Sequence, residues 1–186
     1  MGEDGDEQTA GGFFGFLSRR RALRLALGAG ATLLAGAGGL RALRGDAPPV
    51  DGLRALGVHE YRTLDALAQI HLPIGGPFEP GAAGLDLARV FDTFLADEHP
   101  ENIRDLRRAL TLLEFGPLLF ERRLVTFSNL APDARLRHWL EWGASESLLR
   151  RQVAFAFRKF LSFVFYDTPT IWKHIGYPGP SLRGAP

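Results

Sequence analysis

The chain contains no cysteine, and its only methionine is Met1. Disulfides, thiolate nucleophiles and cysteine-ligated haem, iron–sulfur or zinc sites are therefore excluded, and thioether metal ligands are excluded with them. Lysine is almost absent too, because the 22 basic residues include only Lys159 and Lys173. No glycine-rich phosphate-binding loop precedes either lysine. Composition alone thus removes several large classes of enzyme.

Valine and isoleucine are scarce and never alternate over the length of a strand, whereas alanine, leucine and arginine are abundant. Apolar residues instead recur at helical spacing in segments that begin near Val58, Asp86, Pro100, Pro132 and Ser147. The sequence therefore predicts an all-α protein, an irregular bundle of five to seven helices preceded by a signal-type segment.

Details of this bundle also follow from the pattern. Residues 74–84 (IGGPFEPGAAG) are too rich in glycine and proline to hold a helix, and we expect a loop there. In the helix that begins at Pro132, the spacing predicts that Leu136, Trp139 and Leu140 face inward. The last long helix is apolar on nearly all sides after Val153, which predicts a central position in the bundle.

The N-terminal region has the layout of an export signal, in which a basic patch precedes an apolar run. The basic patch is SRRRALR, and the uncharged stretch 25–40, rich in alanine and glycine, follows it. This layout resembles the twin-arginine (Tat) signal, whose pattern is matched by Ser18, Arg19, Arg20 and Leu23. Ala22 replaces the aromatic residue of that pattern. We expect a Tat signal over residues 1–44, a linker with two prolines and three glycines over 45–57, and a helical domain over 58–186.

Three other interpretations of the N-terminal run are weaker. A core helix would lose about 1 kcal/mol for each of its many glycines, and sixteen uncharged residues fall short of the roughly 20 that cross a bilayer. Nucleic-acid binding needs an excess of positive charge. Removing residues 1–44 takes away six arginines and four acids and leaves 16 basic and 17 acidic residues. Cleavage at Ala35-Gly36-Ala37 and retention of the segment as a membrane anchor both remain open.

The polar residues form no recognisable catalytic motif. The five histidines are far apart, none belongs to a His-Glu-x-x-His pair, and no serine has a Gly-x-Ser-x-Gly context. Asp97, Glu98 and His99 precede a proline, which favours a helix boundary with capping groups. His71 lies on an apolar stripe, where a partly buried, hydrogen-bonded histidine is expected. We therefore predict no catalytic, cofactor-binding or metal-binding residues in this chain.

Two stretches of the C-terminal half carry a resemblance to a known family. FSNLAPDARLRHWLEWGASES (127–147) and YDTPTIWKHIGYPGP (166–180), with the apolar helix between them, resemble the gluconate 2-dehydrogenase subunit 3 family. The resemblance extends over residues 58–180. The positions that fit the family pattern are Leu130, Pro132, Arg135, Trp142, Tyr166, Pro169, Trp172, Gly176, Tyr177, Gly179 and Pro180.

The resemblance implies an accessory role for the 58–186 domain. Members of the family are non-catalytic small subunits of periplasmic, membrane-associated dehydrogenases that act on sugars, sugar acids or alcohols. The large partner is an FAD-containing flavoprotein of the glucose-methanol-choline type, and a cytochrome c with haem c often completes the complex. The small subunit supplies the signal for the Tat translocase and supports maturation of the flavoprotein. This chain would then bind no cofactor and no nucleic acid.

The closing segment is the predicted contact with that partner. Glycine and proline allow tight turns, and the aromatic side chains offer rigid surface of the kind enriched at interfaces. The predicted interface consists of Tyr166, Trp172, His174, Tyr177, Pro178 and Pro180. Coverage of the protein's own core by these aromatic residues remains an alternative. Two rival functions also remain open: a free-standing periplasmic enzyme that uses His71 or His174, and a membrane-anchored structural protein without a redox partner.

Overall fold

A computed structural model describes residues 37–75 and 81–179. Within these ranges the regular structure is helical and no strand occurs. The α-helices are α1 (Ala37–Arg44), α2 (Val58–His71), α3 (Ala82–Leu85), α4 (Leu87–Leu95), α5 (Pro100–Glu114), α6 (Gly116–Glu121), α7 (Pro132–Gly143), α8 (Leu148–Asp167) and α9 (Pro169–Trp172), and a 3₁₀ turn covers Phe127–Asn129. The predicted Tat residues Ser18, Arg19, Arg20 and Leu23 lie outside the described residues, as does Pro180.

The predicted all-α fold is confirmed. Five of the described helices, α2, α4, α5, α7 and α8, have nine residues or more, and each begins within one residue of its predicted start. Three of the described helices begin with a proline, namely Pro100, Pro132 and Pro169. Proline suits this position because its fixed φ is helical and the first N–H of a helix has no intrahelical partner. His99 caps α5 as predicted, because its Nδ1 accepts the N–H of Glu101 at 3.3 Å.

Helix α8 is the longest of the described helices and contacts α2, α4, α7 and α9. Its inner face buries Phe157, Phe160 and Leu161 against side chains such as Phe91, whose ring meets that of Phe160 edge-on at 5.7 Å. The predicted central position of α8 is wrong, because α2 contacts more of the described elements than α8 does. Helix α8 is covered on one side only, and aromatic residues along its outer face remain exposed, namely Phe155, Phe163 and Tyr166.

The predicted inward face of α7 is wrong in part. Trp139 is buried, but Leu136 and Leu140 are 40% and 53% exposed. The buried positions on this helix are Ala134, His138, Trp139 and Trp142. The two tryptophans and the histidine meet α8 and neighbouring elements, and this packing rotates the helix so that the two leucines point outward.

The predicted loop over 74–84 is also wrong at its C-terminal end, where α3 forms one helical turn. The N–H of Ala82 donates to the carbonyl of Leu72 at 2.8 Å and fixes this turn against the end of α2. Gly81 makes the contact sterically feasible, because a Cβ there would lie 2.6 Å from the backbone nitrogen of Ile74.

The end of the predicted 45–57 linker is fixed to the domain by a buried carboxylate. Asp92 on α4 accepts the backbone N–H groups of Arg54 at 2.7 Å, Ala55 at 3.0 Å and Leu56 at 2.7 Å, and the side chain of Leu56 is buried. Further upstream, Asn129 Nδ2 donates to the carbonyl of Leu43 at 3.3 Å. The described residues from Gly39 onward accordingly form one compact unit. None of the described helices combines the length and the apolar character needed to span a bilayer.

Candidate functional site

A shallow groove of about 540 Å³ runs along the C-terminal half of α8. We call it the aromatic groove. It is lined by Arg158, Lys159, Ser162, Phe163, Tyr166, Asp167, Trp172 and Tyr177. Three of the six predicted interface residues, Tyr166, Trp172 and Tyr177, therefore come together at one place.

The segment from Tyr166 to Trp172 forms one wall of the aromatic groove, because the chain turns sharply after α8. Thr168 ends the helix, and its hydroxyl donates to the carbonyl of Val164 at 2.8 Å. Pro169 then begins α9, which places Trp172 back against the end of α8. The indole Nε1–H of Trp172 donates to the carbonyl of Tyr166 at 3.0 Å. This hydrogen bond fixes the orientation of the indole ring.

The sequence Gly176–Gly179 completes the wall. Gly176 has a φ of +69°, which favours glycine, and the next N–H, that of Tyr177, donates to the carbonyl of Trp172 at 2.8 Å. The rings of Tyr177 and Trp172 therefore meet edge-on, with centroids 5.4 Å apart. Gly179 has a φ of +101°, and a Cβ there would lie 3.3 Å from Trp172 Cζ3. The two glycines thus let the chain fold back over the indole.

The aromatic residues of the groove are held in place but are not covered. Phe163, Tyr166 and Tyr177 are 52%, 44% and 45% exposed. Ile171 of α9, in contrast, is completely buried and anchors this segment to the core. The ring of Phe94 extends the apolar surface, since it meets Phe163 at 5.9 Å. Ile171 therefore covers the protein's own core, while Tyr166 and Tyr177 remain exposed at the surface.

The other three predicted interface residues do not line the aromatic groove. His174 and Pro178 are exposed nearby, and Pro180 lies outside the described residues. Five lining residues were not predicted as site residues: Arg158, Lys159, Ser162, Phe163 and Asp167. The signal was present in the sequence, because these residues and Tyr166 recur at intervals that place them on one side of α8. The apolar character of α8 was interpreted only as a sign of burial, so the exposed side of this helix was not predicted.

Two buried carboxylates have structural roles. Asp92 accepts the three backbone hydrogen bonds described above. Glu114, which is 2% exposed, accepts the hydroxyl of Thr63 at 3.0 Å and both the N–H and the hydroxyl of Ser128, at 3.0 and 2.7 Å. A carboxylate whose oxygens are occupied in this way is poorly placed to accept a proton from a substrate.

Among the described residues, one group of side chains of the types that bind metals comes together only in the structure. Ligand atoms of Glu121, His138 and Glu141 lie within 4.8 Å of one another, and Nδ1 of His138 contacts Oε1 of Glu121. Imidazole and carboxylate donors suit zinc and related divalent cations. Burial lowers the pKa of His138 by more than the neighbouring Glu121 raises it. The imidazole is therefore neutral at pH 7.

The surroundings of this group favour a structural pair. Arg123 lies 3.5 Å from Glu121 and offsets its charge. Nε2 of His138 is buried without a hydrogen-bond partner in the described part of the chain, and a Cβ on Gly116 would lie 2.7 Å from it. A metal on Nδ1 would place the proton on Nε2, where a ligating histidine normally finds an acceptor. Donation of Nδ1–H to Glu121 avoids that buried, unsatisfied donor.

His71, which one rival function invoked, is half-buried as predicted. Its Nε2 lies 3.3 Å from the hydroxyl of Ser162, and burial lowers its pKa. Among the described residues, no carboxylate lies within ion-pairing distance of this ring. A general base oriented by an acid is therefore not assembled at His71.

No family model, no curated protein and no solved structure matches this chain.

Proposed function

We propose that this chain is the non-catalytic small subunit of a periplasmic dehydrogenase complex, of the gluconate 2-dehydrogenase subunit 3 type. It escorts a folded glucose-methanol-choline-type flavoprotein through the Tat pathway and supports its maturation. FAD resides in the flavoprotein, whose substrate is a sugar, a sugar acid or an alcohol. A cytochrome c is a further candidate member of the complex.

The observation that carries this proposal is the aromatic groove. One of its walls is built by the YDTPTIWKHIGYPG stretch, which also carries the sequence resemblance. Tyr166 and Tyr177 remain about half exposed although hydrogen bonds and ring contacts hold the segment in one conformation. Rigid, uncovered aromatic side chains are typical anchors of protein interfaces, since little conformational freedom is lost when a partner covers them.

The lack of an assembled active site in the described residues supports an accessory role. The buried acids Asp92 and Glu114 stabilise the fold, and the Glu121–His138 contact is explained as a structural pair. The Tat route serves proteins that fold before export, often because they carry a cofactor. A small subunit without a cofactor of its own therefore has little need for this route. Escort of a folded, FAD-containing partner without its own signal gives the route a purpose.

Export of both subunits tests this proposal. We expect that replacement of Arg19 and Arg20 by lysine leaves both this chain and the flavoprotein in the cytoplasm, because the twin arginines serve as the only signal of the pair. The matched control replaces Arg41 and Arg44 by lysine, which makes the same chemical change outside the motif. Dehydrogenase activity and both polypeptides are measured in periplasmic and cytoplasmic fractions. Normal periplasmic activity in the Arg19/Arg20 variant would overturn the escort role.

A further inference from the structure

The two ends of the aromatic groove carry opposite charge. Arg158 and Lys159 line one end and Asp167 lines the other. Lys159 and Asp167 are eight positions apart on α8, which corresponds to about 12 Å along the helix axis. Asp167 is also the last residue of α8, where the unpaired carbonyls of the helix add partial negative charge. The groove is therefore a polarised surface.

The acidic end has the composition of a cation site. Tyr166, Trp172 and Tyr177 line the groove together with Asp167. Aromatic faces attract a guanidinium or ammonium group, and a carboxylate adds a charge-assisted hydrogen bond. The indole orientation is fixed by its hydrogen bond to the Tyr166 carbonyl, so this end of the groove is already shaped before anything binds.

The basic end is positioned by contacts of its own. The guanidinium of Arg158 lies 5.8 Å from the ring centroid of Trp139. It also packs against Gly143, where a Cβ would lie 2.8 Å from Nη2. The ammonium of Lys159 lies 5.6 Å from the ring centroid of Phe155. Between the two charged ends, the exposed ring of Phe163 offers an apolar floor.

We propose that the aromatic groove binds an extended, charge-polarised segment of the partner flavoprotein. A carboxylate of this segment faces Arg158 and Lys159, an arginine or lysine faces Asp167, and an apolar side chain between them packs on Phe163. The rise of about 12 Å between the helix positions of Lys159 and Asp167 corresponds to about four residues of extended chain, so we place the two charged residues of the segment at positions i and i+4. This assignment rests on the proposed function and adds the chemistry of the contact.

Two other kinds of occupant fit the groove less well. The groove is open to solvent along one side, whereas small-molecule sites enclose most of the ligand surface. An anionic membrane surface would be attracted by Lys159 but repelled by Asp167, which lies in the same groove. A protein segment can present both signs of charge at the required spacing.

A peptide tests the charge pattern without the flavoprotein. The probe is acetyl-Glu-Ala-Phe-Ala-Arg-amide, and its control is the neutral analogue with glutamine at both ends. We expect the charged peptide to shift the indole N–H resonance of Trp172 at lower concentration than the neutral one, and added salt to remove the difference. Asp167→Lys should abolish the preference, whereas Asp46→Lys makes the same charge change at an exposed position that does not line the groove and should preserve it. Equal responses to the two peptides would overturn the proposal.

The flavoprotein supplies the second arm of the test. Asp167→Lys should weaken its binding about tenfold or more, and the Asp46→Lys control should not. If Tyr177→Ala weakens flavoprotein binding while Asp167→Lys leaves it unchanged, the docking function stands and the charge pattern is refuted. Vesicles of phosphatidylcholine and phosphatidylglycerol complete the set. Flotation of the wild-type chain with them, lost in Lys159→Ala, would assign the groove to a lipid surface and overturn the proposal.

Discussion

Replacement of Tyr177 by alanine separates a docking surface from a lid over the protein's own core. The tyrosine ring meets Trp172 edge-on at 5.4 Å, and 45% of the residue is exposed. Its ring therefore has one contact that belongs to the free subunit and a large remaining surface that a partner would cover. The exposed part of the ring determines the expected loss in binding, and the contact with Trp172 determines the expected loss in stability.

The loss in binding follows from the exposed portion. An aromatic side chain buries about 150–250 Å² when fully covered, so the 45% that remains exposed amounts to roughly 70–110 Å². At about 25 cal/mol per Å² this corresponds to about 2–3 kcal/mol of interface energy. Since 1.4 kcal/mol is a factor of about ten in affinity, we expect Tyr177→Ala to weaken flavoprotein binding at least tenfold.

The loss in stability follows from the contact with Trp172. An edge-on aromatic pair contributes about 0.5–1.5 kcal/mol beyond its buried area. For a domain of this size, 1 kcal/mol lowers Tm by about 2–4 °C. The variant should therefore remain folded, with unchanged helical content and a Tm lower by only a few degrees.

The assay combines a pull-down of the flavoprotein with a thermal melt of the same protein sample. Phe120→Ala is the matched control, because Phe120 is 42% exposed and meets Trp142 edge-on at 5.7 Å, outside the aromatic groove. It should lose similar stability and no affinity. Unfolding of the free Tyr177→Ala subunit would show that the segment is a core lid. Full flavoprotein binding by a folded Tyr177→Ala variant would show that the interface lies elsewhere.

Two further predictions concern the histidines. The EDTA-dialysed chain should bind no zinc or manganese and gain no thermal stability from either, because Arg123 offsets the charge of Glu121 and the imidazole of His138 occupies its other oxygen. A rise in Tm that Glu141→Gln abolishes would contradict this. Burial lowers the pKa of both His71 and His138 in the folded chain, so the unfolded chain binds more protons, and stability in urea should decrease as the pH falls from about 7.5 to 6. His71→Gln should flatten part of that decrease, and stability that increases over the same interval would refute the assignment.

The helices and their boundaries were determined largely by local sequence. Proline at positions 100, 132 and 169 marks three helix starts, and the capping role of His99 followed from its place before Pro100. These features depend on backbone geometry within one turn of chain, which neighbouring residues specify. The turn chemistry of the closing segment was likewise visible in its glycines and prolines.

Only the tertiary structure decided which faces of the helices are covered. Leu140 is exposed and His138 is buried, although helical spacing alone permits the opposite rotation of α7. The contact between Glu121 and His138 joins residues on separate helices, and the aromatic groove combines the end of α8 with a chain reversal that returns Tyr177 to Trp172. Periodicity specifies that a helix has an apolar stripe, but the partners that fill the space around it determine which aromatic residues stay at the surface.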